Sequence, residues 1–481
     1  MTPILWLLPI PLVVACVAFA VRRSSFIAAF TACAMWLQAA IAIALWYPHL
    51  NRDAAVIVAS GFRVDSTSAL FVILTTLVAA SALTQAVSFF AKEAASEHPP
   101  TPWQVAQVYI FTPLFLLAMY AVVTADNLGY LWIGMEATTL LSAPMVYYHR
   151  TSTALEATWK YLIVCSVGIA MGFFGTALIY SASQQVQLIP GGSLSLTALV
   201  AHANLLPVGL LRLGYVFIVL GYGTKAGLFP LHSWLPDAHS EAPAPVSAML
   251  SGGLLNCALV ALWRVGGIMT AAGQERLVMH TLLPMGAITV AAAALFLVKQ
   301  HDVKRMLAYS SMENVGLMAI AIAIGSSTGF ALQAVNHSVA KVGLFLIAGA
   351  LVQTYGSSKI RKIRGVMVSQ PAQGIAFFCL IAAVAGTPPF GSFLSEWQIL
   401  TAAFNLHHYA TVGVVALALA IAFIALSIHA IDMLMSDRDK TVSGPPPARL
   451  SFVVGALIVA ALVLGLALSP AVVAMAGGLT R

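Results

Sequence analysis

Charge is what this sequence has least of. Lys, Arg, Asp and Glu make up 8% of its 481 residues, against about 25% in soluble domains, and hydrophobic residues make up 60%. This balance excludes an ordinary soluble enzyme. The net charge of +7 does not indicate nucleic-acid binding, because the basic residues are spread through loops between apolar runs. We predict an all-α polytopic membrane protein that lies in the lipid bilayer and has no nucleic-acid partner.

Ligand patterns for redox groups and metals are also lacking. The five cysteines all fall in apolar runs, and none has CxxC or Cys/His spacing, so an Fe–S cluster or zinc site is not expected. No GxGxxG or P-loop stands between a strand and a helix. We therefore expect no cofactor, no metal and no catalytic redox site on this chain.

Apolar runs long enough to cross a bilayer number fourteen. No basic residue precedes the first run, so we expect an uncleaved first span, although 18–20 (Ala-Phe-Ala) resembles a cleavage site. A short β-branched segment, 54–64, predicts a small hairpin outside the membrane. The predicted spans are 3–21, 24–47, 66–91, 105–124, 127–148, 157–182, 209–230, 244–268, 278–299, 303–325, 328–354, 371–391, 409–435 and 450–475.

The basic residues predict the orientation of these spans. With the N-terminus outside, fifteen Lys and Arg residues fall in inside loops and six fall outside, while Lys225 and Lys341 lie within spans. Because loops rich in Lys and Arg stay in the cytoplasm, this asymmetry places both termini outside the inner membrane of a bacterium.

The segment 221–252 combines a membrane-embedded charge with a helix break. Lys225 stands among small residues inside an apolar run, and Pro230 then breaks the helix. A lysine at mid-membrane costs about 2.5–3.5 kcal/mol on insertion scales, so a charged and broken span indicates an ion pathway. The alternative is a lysine that snorkels to the interface.

The same segment carries a family resemblance. The sequence TKAGLFPLHSWLPDAHSEAPAPVSAMLSG, 224–252, resembles the signature of the proton-translocating antiporter-like subunits. These subunits occur in respiratory complex I, in hydrogenase-4 and formate hydrogenlyase complexes, and in Mrp antiporters. The resemblance extends over roughly 65–435 and is strongest to the F-type subunit of hydrogenase-4. It implies fourteen helices, with two inverted five-helix repeats and broken helices seven and twelve.

An internal repeat is visible in the positions of the breaks. Span seven breaks after Lys225 and span twelve breaks at 386–389, five spans later. Because five is odd, the two sets of spans have opposite topology. We predict three N-terminal helices in 1–104, one repeat in 105–268, a second in 269–435, and a C-terminal loop with the last helix in 436–481.

Glu136 is the one charge in the middle of span five, and Lys225 is its natural partner. Contact keeps both groups charged, whereas separation leaves the lysine without a counter-charge, so the pair is a switchable proton site. The resemblance places the family's functional Glu–Lys pair on these two residues. The alternative is a static ion pair that fixes helix packing.

A second group of titratable residues lies in the C-terminal half. His337 and Lys341 are four residues apart and so share one face of helix eleven, and Glu396 follows the break in helix twelve. Such a line can relay protons because histidine titrates near neutral pH. We consider His337 a poor metal-ligand candidate, since no second ligand shares its spacing. Glu313 joins the pathway, or pairs with Lys304 or Arg305 at the inside interface.

Helix eight departs from the family pattern. Ser251 and Asn256 stand where the family usually has a titratable His or Lys, so transfer between the halves needs a water bridge or a route through Glu313. We also place the loop histidines His232 and His239 on the candidate proton pathway.

From these features we predict a proton-translocating subunit of a hydrogenase-4 or formate hydrogenlyase assembly. Its partners are other membrane subunits and, through them, a peripheral redox arm. An Mrp-type sodium/proton antiporter subunit, a membrane subunit of an inorganic-carbon uptake complex, and a scaffold with a dead channel stay open as alternatives.

Overall fold

Helices account for nearly all of the structure. The computed structural model describes residues 3–21, 24–50, 56–58, 61–96, 99–188, 191–437 and 450–466. The α-helices in chain order are α1 Pro9–Val21, α2 Ser24–Trp46, α3 Ser66–Ala94, α4 Pro102–Thr124, α5 Leu128–Val146, α6 Ser152–Gln184, α7 Leu196–Ala201, α8 Val208–Ala226, α9 Trp234–Glu241, α10 Ala244–Met249, α11 Leu255–Ala271, α12 Glu275–Val298, α13 Val303–Ala323, α14 Ser327–Tyr355, α15 Val366–Ser369, α16 Pro371–Val384, α17 Gly391–Asn405, α18 Tyr409–Met435 and α19 Phe452–Leu466.

Eleven spans in the described part of the chain are long and apolar enough to cross a membrane. Three predicted spans are not among the eleven. The fifth predicted span, α5, is less apolar because it carries Glu136 and several hydroxyl residues. The twelfth is divided into α16 and α17, each too short to cross a membrane, and the fourteenth, α19, is described only to Leu466. These three account for the difference from the predicted fourteen.

The two halves repeat the same neighbour packing. In the first half α4 packs on α5, α5 on α6, and α6 on α8; in the second half α12 packs on α13, α13 on α14, and α14 on both α16 and α17. The chain is thus built from two inverted five-helix repeats, as predicted. The limits 105–268 and 269–435 stay predictions.

Both predicted breaks are present. Gly227 and Gly386 end their helices in the left-handed conformation, with φ of 80° and 65°, which glycine adopts without steric cost. A proline follows each glycine three residues later, where it cannot donate to a helix. The predicted limit of the twelfth span, 391, is too early, because the chain resumes as a helix at Gly391 and continues to Asn405.

An ion cluster ties the helices together on one face of the molecule, which we call the hairpin face. Two strands, Val56–Val58 and Phe62–Val64, pair antiparallel there, as the segment 54–64 predicted. Asp65 caps α3 and contacts Arg63 at 2.8 Å and Arg264 of α11 at 3.1 Å. Burial opposes ionisation of Asp65, but the charges of Arg264 and Arg63 outweigh it and hold the pKa of this carboxyl well below its usual value.

Ion pairs also join the loops on the opposite face. Asp237 of α9 contacts Lys160 of α6 at 2.5 Å and also pairs with Arg305 of α13. These loops belong to the side that the basic residues predict to be inside. Several residues behind that prediction lie outside the described part of the chain: Arg22, Arg23, Arg52, Arg438, Lys440, Arg449 and Arg481.

Candidate functional site

Lys225 lies in a cage of neutral groups and is fully buried. The last turn of α8 places its ammonium between α5 and α6, where it donates to the hydroxyls of Thr139 at 2.7 Å and Tyr161 at 2.8 Å. The ring of Tyr161 lies 4.7 Å from the Lys225 Nζ, and the ring of Trp234 lies 5.9 Å from it. The lysine does not snorkel to the interface, so this alternative is wrong.

Glu136 does not contact Lys225. Its Oε1 accepts from the Ser166 hydroxyl at 2.8 Å, and its buried Oε2 has no hydrogen-bond partner among the described residues. The carboxylate acts on Lys225 only through space. The structure therefore shows the two side chains in the separated arrangement. A static ion pair between Glu136 and Lys225 does not fix the packing of these helices.

Lys341 repeats this arrangement in the second half. It is fully buried in α14, and its ammonium donates to the carbonyl of Leu307 at 3.0 Å and to the hydroxyl of Ser310, both on α13. Glu313 lies on the same helix, buried, and interacts with Lys341 electrostatically. Each half thus contains a buried lysine held by neutral oxygens, with a carboxylate near it.

Glu313 pairs with none of the described residues at the interface. Its Oε2 is buried without a hydrogen bond in the described structure. Lys304 instead donates to the carbonyls of Ser240 at 2.9 Å and Ala242 at 2.7 Å, and Arg305 pairs with Asp237. The expectation that Glu313 pairs with Lys304 or Arg305 is therefore wrong.

His337 and Lys341 share a face of α14 but reach different neighbours. His337 is fully buried, and its Nε2 lies 3.3 Å from the carbonyl of Ser251, while its Nδ1 has no hydrogen-bond partner among the residues that the structure describes. No group of three or more His, Cys, Asp or Glu residues in the described ranges is placed to hold a metal ion.

Glu396 lies apart from His337 and Lys341, against the break between α16 and α17. A Cβ added to Gly386 would come within 2.2 Å of its Oε2, so the carboxylate packs directly on the glycine backbone. Neutral polar groups form a connected line next to it in the sequence. The Gln333 amide of α14 donates to Asn314 of α13 at 2.7 Å, and the Ser395 hydroxyl of α17 donates to Gln333 at 2.6 Å and accepts from Asn336 of α14 at 3.2 Å.

Helix eight, the eighth predicted span, consists of α10, a π-helical turn and α11, and it connects the two halves through Ser251 and Asn256. Five residues, Leu250–Leu254, form a π-helical turn between α10 and α11, and such turns are frequent at functional sites. The hydroxyl of Ser251 lies 2.8 Å from that of Ser311, and the Asn256 amide donates to Ser338 at 2.7 Å. The Asn256 carbonyl oxygen has no partner among the described residues.

The two loop histidines differ in their surroundings. His232 is half-buried between the rings of Phe229 and Phe296, at 5.3 and 5.5 Å. His239 is fully buried, stacks on Phe345 at 4.9 Å, and has no hydrogen-bond partner on either ring nitrogen among the described residues. His239 lies near Lys341 and Lys304, so it connects the loop to the second half of the site.

Comparison with known proteins identifies the family. Residues 125–422 match the family described as NADH:quinone oxidoreductase/Mrp antiporter, TM, which is more than half of the chain and includes both lysine sites. The chain belongs to this family.

Similar proteins come from several membrane complexes. The chain is 37% identical to the hydrogenase-4 component F homolog of Methylacidiphilum infernorum over 350 residues, which cover 72% of this chain and 73% of that one. Its fold matches a chain of the membrane-bound sulfane sulfur reductase, an archaeal respiratory membrane complex, with a TM-score of 0.88 at 24% identity over 100% and 98% of the chains. It also matches a chain of the Mrp complex from Dietzia sp. DQ12-45-1b, with a TM-score of 0.87 at 19% identity over 100% and 96%.

Several polar groups of this antiporter-like site escape sequence reasoning. Thr139 and Tyr161 accept hydrogen bonds from Lys225, and Gln333 and Ser395 link α14 to α17. The one signal available for Thr139 is that it lies three residues after Glu136, on the same side of the helix. Single hydroxyl or amide residues in the other helices stand out from no pattern.

Proposed function

We propose that this antiporter-like subunit moves protons across the membrane through its two lysine sites. The observation that supports the proposal is the pair of buried lysines, Lys225 and Lys341, each held by neutral oxygen atoms rather than by a carboxylate. An ammonium held in this way can release its proton without breaking an ion pair. A charge at this depth is costly in lipid, so a buried lysine in a membrane span indicates a functional site.

In the first half, the switch is the distance between Glu136 and Lys225. When the carboxylate swings from Ser166 towards the lysine, the two form an ion pair that keeps the lysine protonated. When it returns, Tyr161 and Thr139 alone hold the ammonium, and the proton leaves more easily. Rotation of one Glu136 side chain therefore loads and unloads the site.

In the second half, protons pass among Lys341, Glu313, His337 and Glu396. Lys341 and Glu313 are close enough to interact electrostatically, and His337 reaches towards helix eight. The amides and hydroxyls between Asn314 and Ser395 can orient water molecules between Glu313 and Glu396 without titrating themselves.

Transfer between the halves uses helix eight. Ser251 and Asn256 are both buried and both bond to the second half, and the free carbonyl oxygen of Asn256 can accept from a bridging water. His239 offers a second connection, from α9 to the surroundings of Lys341.

We further propose that the subunit works in a hydrogenase-4 or formate hydrogenlyase type of assembly, in the inner membrane of a bacterium with both termini outside. Its neighbours are then other membrane subunits, and redox chemistry takes place in a peripheral arm. The 37% identity to a hydrogenase-4 component F homolog over nearly three quarters of each chain supports this choice.

Purification of the intact assembly tests the proposed function. We expect the subunit to co-purify with a nickel–iron protein, and vesicles that contain the assembly to take up protons without added sodium. A zinc protein in place of the nickel–iron protein would indicate inorganic-carbon uptake. Proton movement that needs a sodium gradient and no redox partner would indicate an Mrp-type antiporter, and either result would overturn the proposal.

A further inference from the structure

The loop between α14 and α16 carries an unusual charge. Its fifteen residues, 356–370, read GSSKIRKIRGVMVSQ, with four cations between 359 and 364 and no acidic residue. The loop joins two membrane helices over a short distance, so it cannot extend far from the bilayer surface. Its position follows from a backbone bridge between Lys359 and Asp302, which stands at the start of α13.

A fixed scaffold presents these cations. Ile360 and Ile363 are buried on one side of a single 3₁₀ turn and anchor it to the core. The backbone N–H of Ile360 donates to the carbonyl of His301 at 2.9 Å, and that of Val303 donates to the carbonyl of Ser358 at 2.9 Å. Because the isoleucines point inward, the cations between them point outward.

Three of the four cations have no counter-charge among the described residues. Arg364 pairs with Asp432 of α18 at 3.3 Å. Lys359, Arg361 and Lys362 are exposed and make no ion pair within the described part of the chain. These three positive charges therefore lie close together at the membrane surface, uncompensated by any residue that the structure describes.

Apolar side chains flank the same turn. Val368 of α15 is 89% exposed, immediately before the membrane helix α16. The loop packs against the nearby end of α18, where Ile431 and Met435 face outward at 49% and 64% exposure. Cations beside exposed apolar side chains at the end of a membrane helix are typical of contact with anionic lipid, because the chains enter the hydrocarbon while the cations meet phosphates.

We propose that the turn of Lys359, Arg361 and Lys362, together with Val368, binds the phosphate headgroup of an anionic phospholipid in the adjoining leaflet. The cations contact the phosphate oxygens, and Val368 enters the acyl region beside α18. An acidic protein surface explains the cations equally well, but it does not explain Val368 at the level where α16 enters the membrane.

The test compares two triple variants of the full chain in nanodiscs made from equal parts of phosphatidylglycerol and phosphatidylcholine. One is Lys359→Gln/Arg361→Gln/Lys362→Gln. The matched control is Lys92→Gln/Arg150→Gln/Lys299→Gln, which removes three exposed cations on the same face, at the end of α3, before α6 and after α12. Phosphatidylglycerol that stays bound after extraction into detergent is counted by native mass spectrometry. Each surface cation contributes about 1 kcal/mol of lipid attraction, so we expect the first variant to retain at least about tenfold less.

The control should retain phosphatidylglycerol as the unmodified chain does. Equal losses in both triple variants would mean general charge attraction, and no loss in the first variant would remove the site; either result overturns the proposal. Retained lipid together with loss of a peripheral subunit from the purified assembly would show protein docking instead. Val368→Ser should also lower lipid retention, and retention unchanged in that variant would contradict insertion of this residue.

Discussion

Tyr161 and Thr139 are the side chains that hold the Lys225 ammonium, and the hydroxyl of Tyr161 also contacts Ser142 at 2.6 Å. A hydrogen bond to a charged group contributes about 1.5–3 kcal/mol, more than a neutral one. The occupancy of the lysine by a proton therefore depends on these two hydroxyls. Each of the two hydrogen-bond acceptors of this lysine can therefore be removed separately by a single substitution.

Tyr161→Phe removes the hydroxyl that accepts from Lys225 and keeps the aromatic ring. We expect proton uptake by assembly vesicles to slow about tenfold, because the ammonium loses one of its two hydroxyl acceptors. Tyr109→Phe is the matched control, since the buried hydroxyl of Tyr109 has no hydrogen-bond partner among the described residues. Equal rates in the two variants would remove Tyr161 from the proton site.

Asp65 carries a prediction about stability and pH. Asp65→Asn leaves Arg264 buried without its counter-charge, so we expect the free energy of unfolding to fall by about 3–5 kcal/mol. Because the arginines hold the pKa of Asp65 below its unfolded value of about 4, its stabilisation is complete above that pH and is lost as the pH falls towards the folded value.

Thermal unfolding of the detergent-solubilised protein across a pH series measures both effects. The acid-induced loss of stability should be smaller in Asp65→Asn than in the unmodified chain. Asp437→Asn, at an exposed residue, should change neither quantity. An unaltered acid profile in Asp65→Asn would contradict the role of the cluster on the hairpin face.

Among the helices, helix eight carries the proposed route between the two halves. Its π-helical turn brings Ser251 to Ser311 and His337, and Asn256 to Ser338. Glu313 offers the competing route, since it is buried on α13 with one oxygen free. The two routes predict opposite rankings of variants.

Asn256→Leu should slow proton uptake strongly if water crosses at helix eight, because leucine cannot orient a water chain. Asn256→Lys should be tolerated, since resembling subunits carry a titratable residue at this place. Under the Glu313 route, Glu313→Gln is damaging and Asn256→Leu is mild. Uptake measured side by side decides, and if neither variant changes the rate, helix eight does not join the halves.

At the scale of the whole molecule, the loops divide between two faces. The ion pairs of Asp237 join α9 to α6 and α13 on one face, and those of Asp65 join α3 to α11 on the other. In a background without cysteine, Ser357→Cys should be shielded from an impermeant thiol reagent added outside intact cells, and Glu275→Cys should react. The reverse pattern would invert the proposed orientation.

Much of this architecture could be predicted from the sequence, because lipid imposes long apolar runs and Gly and Pro mark their breaks. Lys225 and Lys341 could be located in the same way, as charges where charge is costly. The hydrogen-bond partners could not be predicted. Tyr161, Ser310 and Gln333 follow no sequence pattern, and only three-dimensional packing places them beside an ammonium or an amide. The separation of Glu136 from Lys225 is equally invisible in the sequence, because it depends on the side-chain rotamer.

Proton uptake by vesicles that contain the intact assembly with Lys225→Ala tests whether the buried lysine moves protons. Glu136→Gln supports the comparison, and Lys299→Gln, at an exposed lysine in a loop, is the control. We predict normal assembly in all three variants, loss of proton uptake in the first two, and normal uptake in the control. Normal proton uptake in Lys225→Ala would contradict the account, because the buried lysine would then have no part in moving protons.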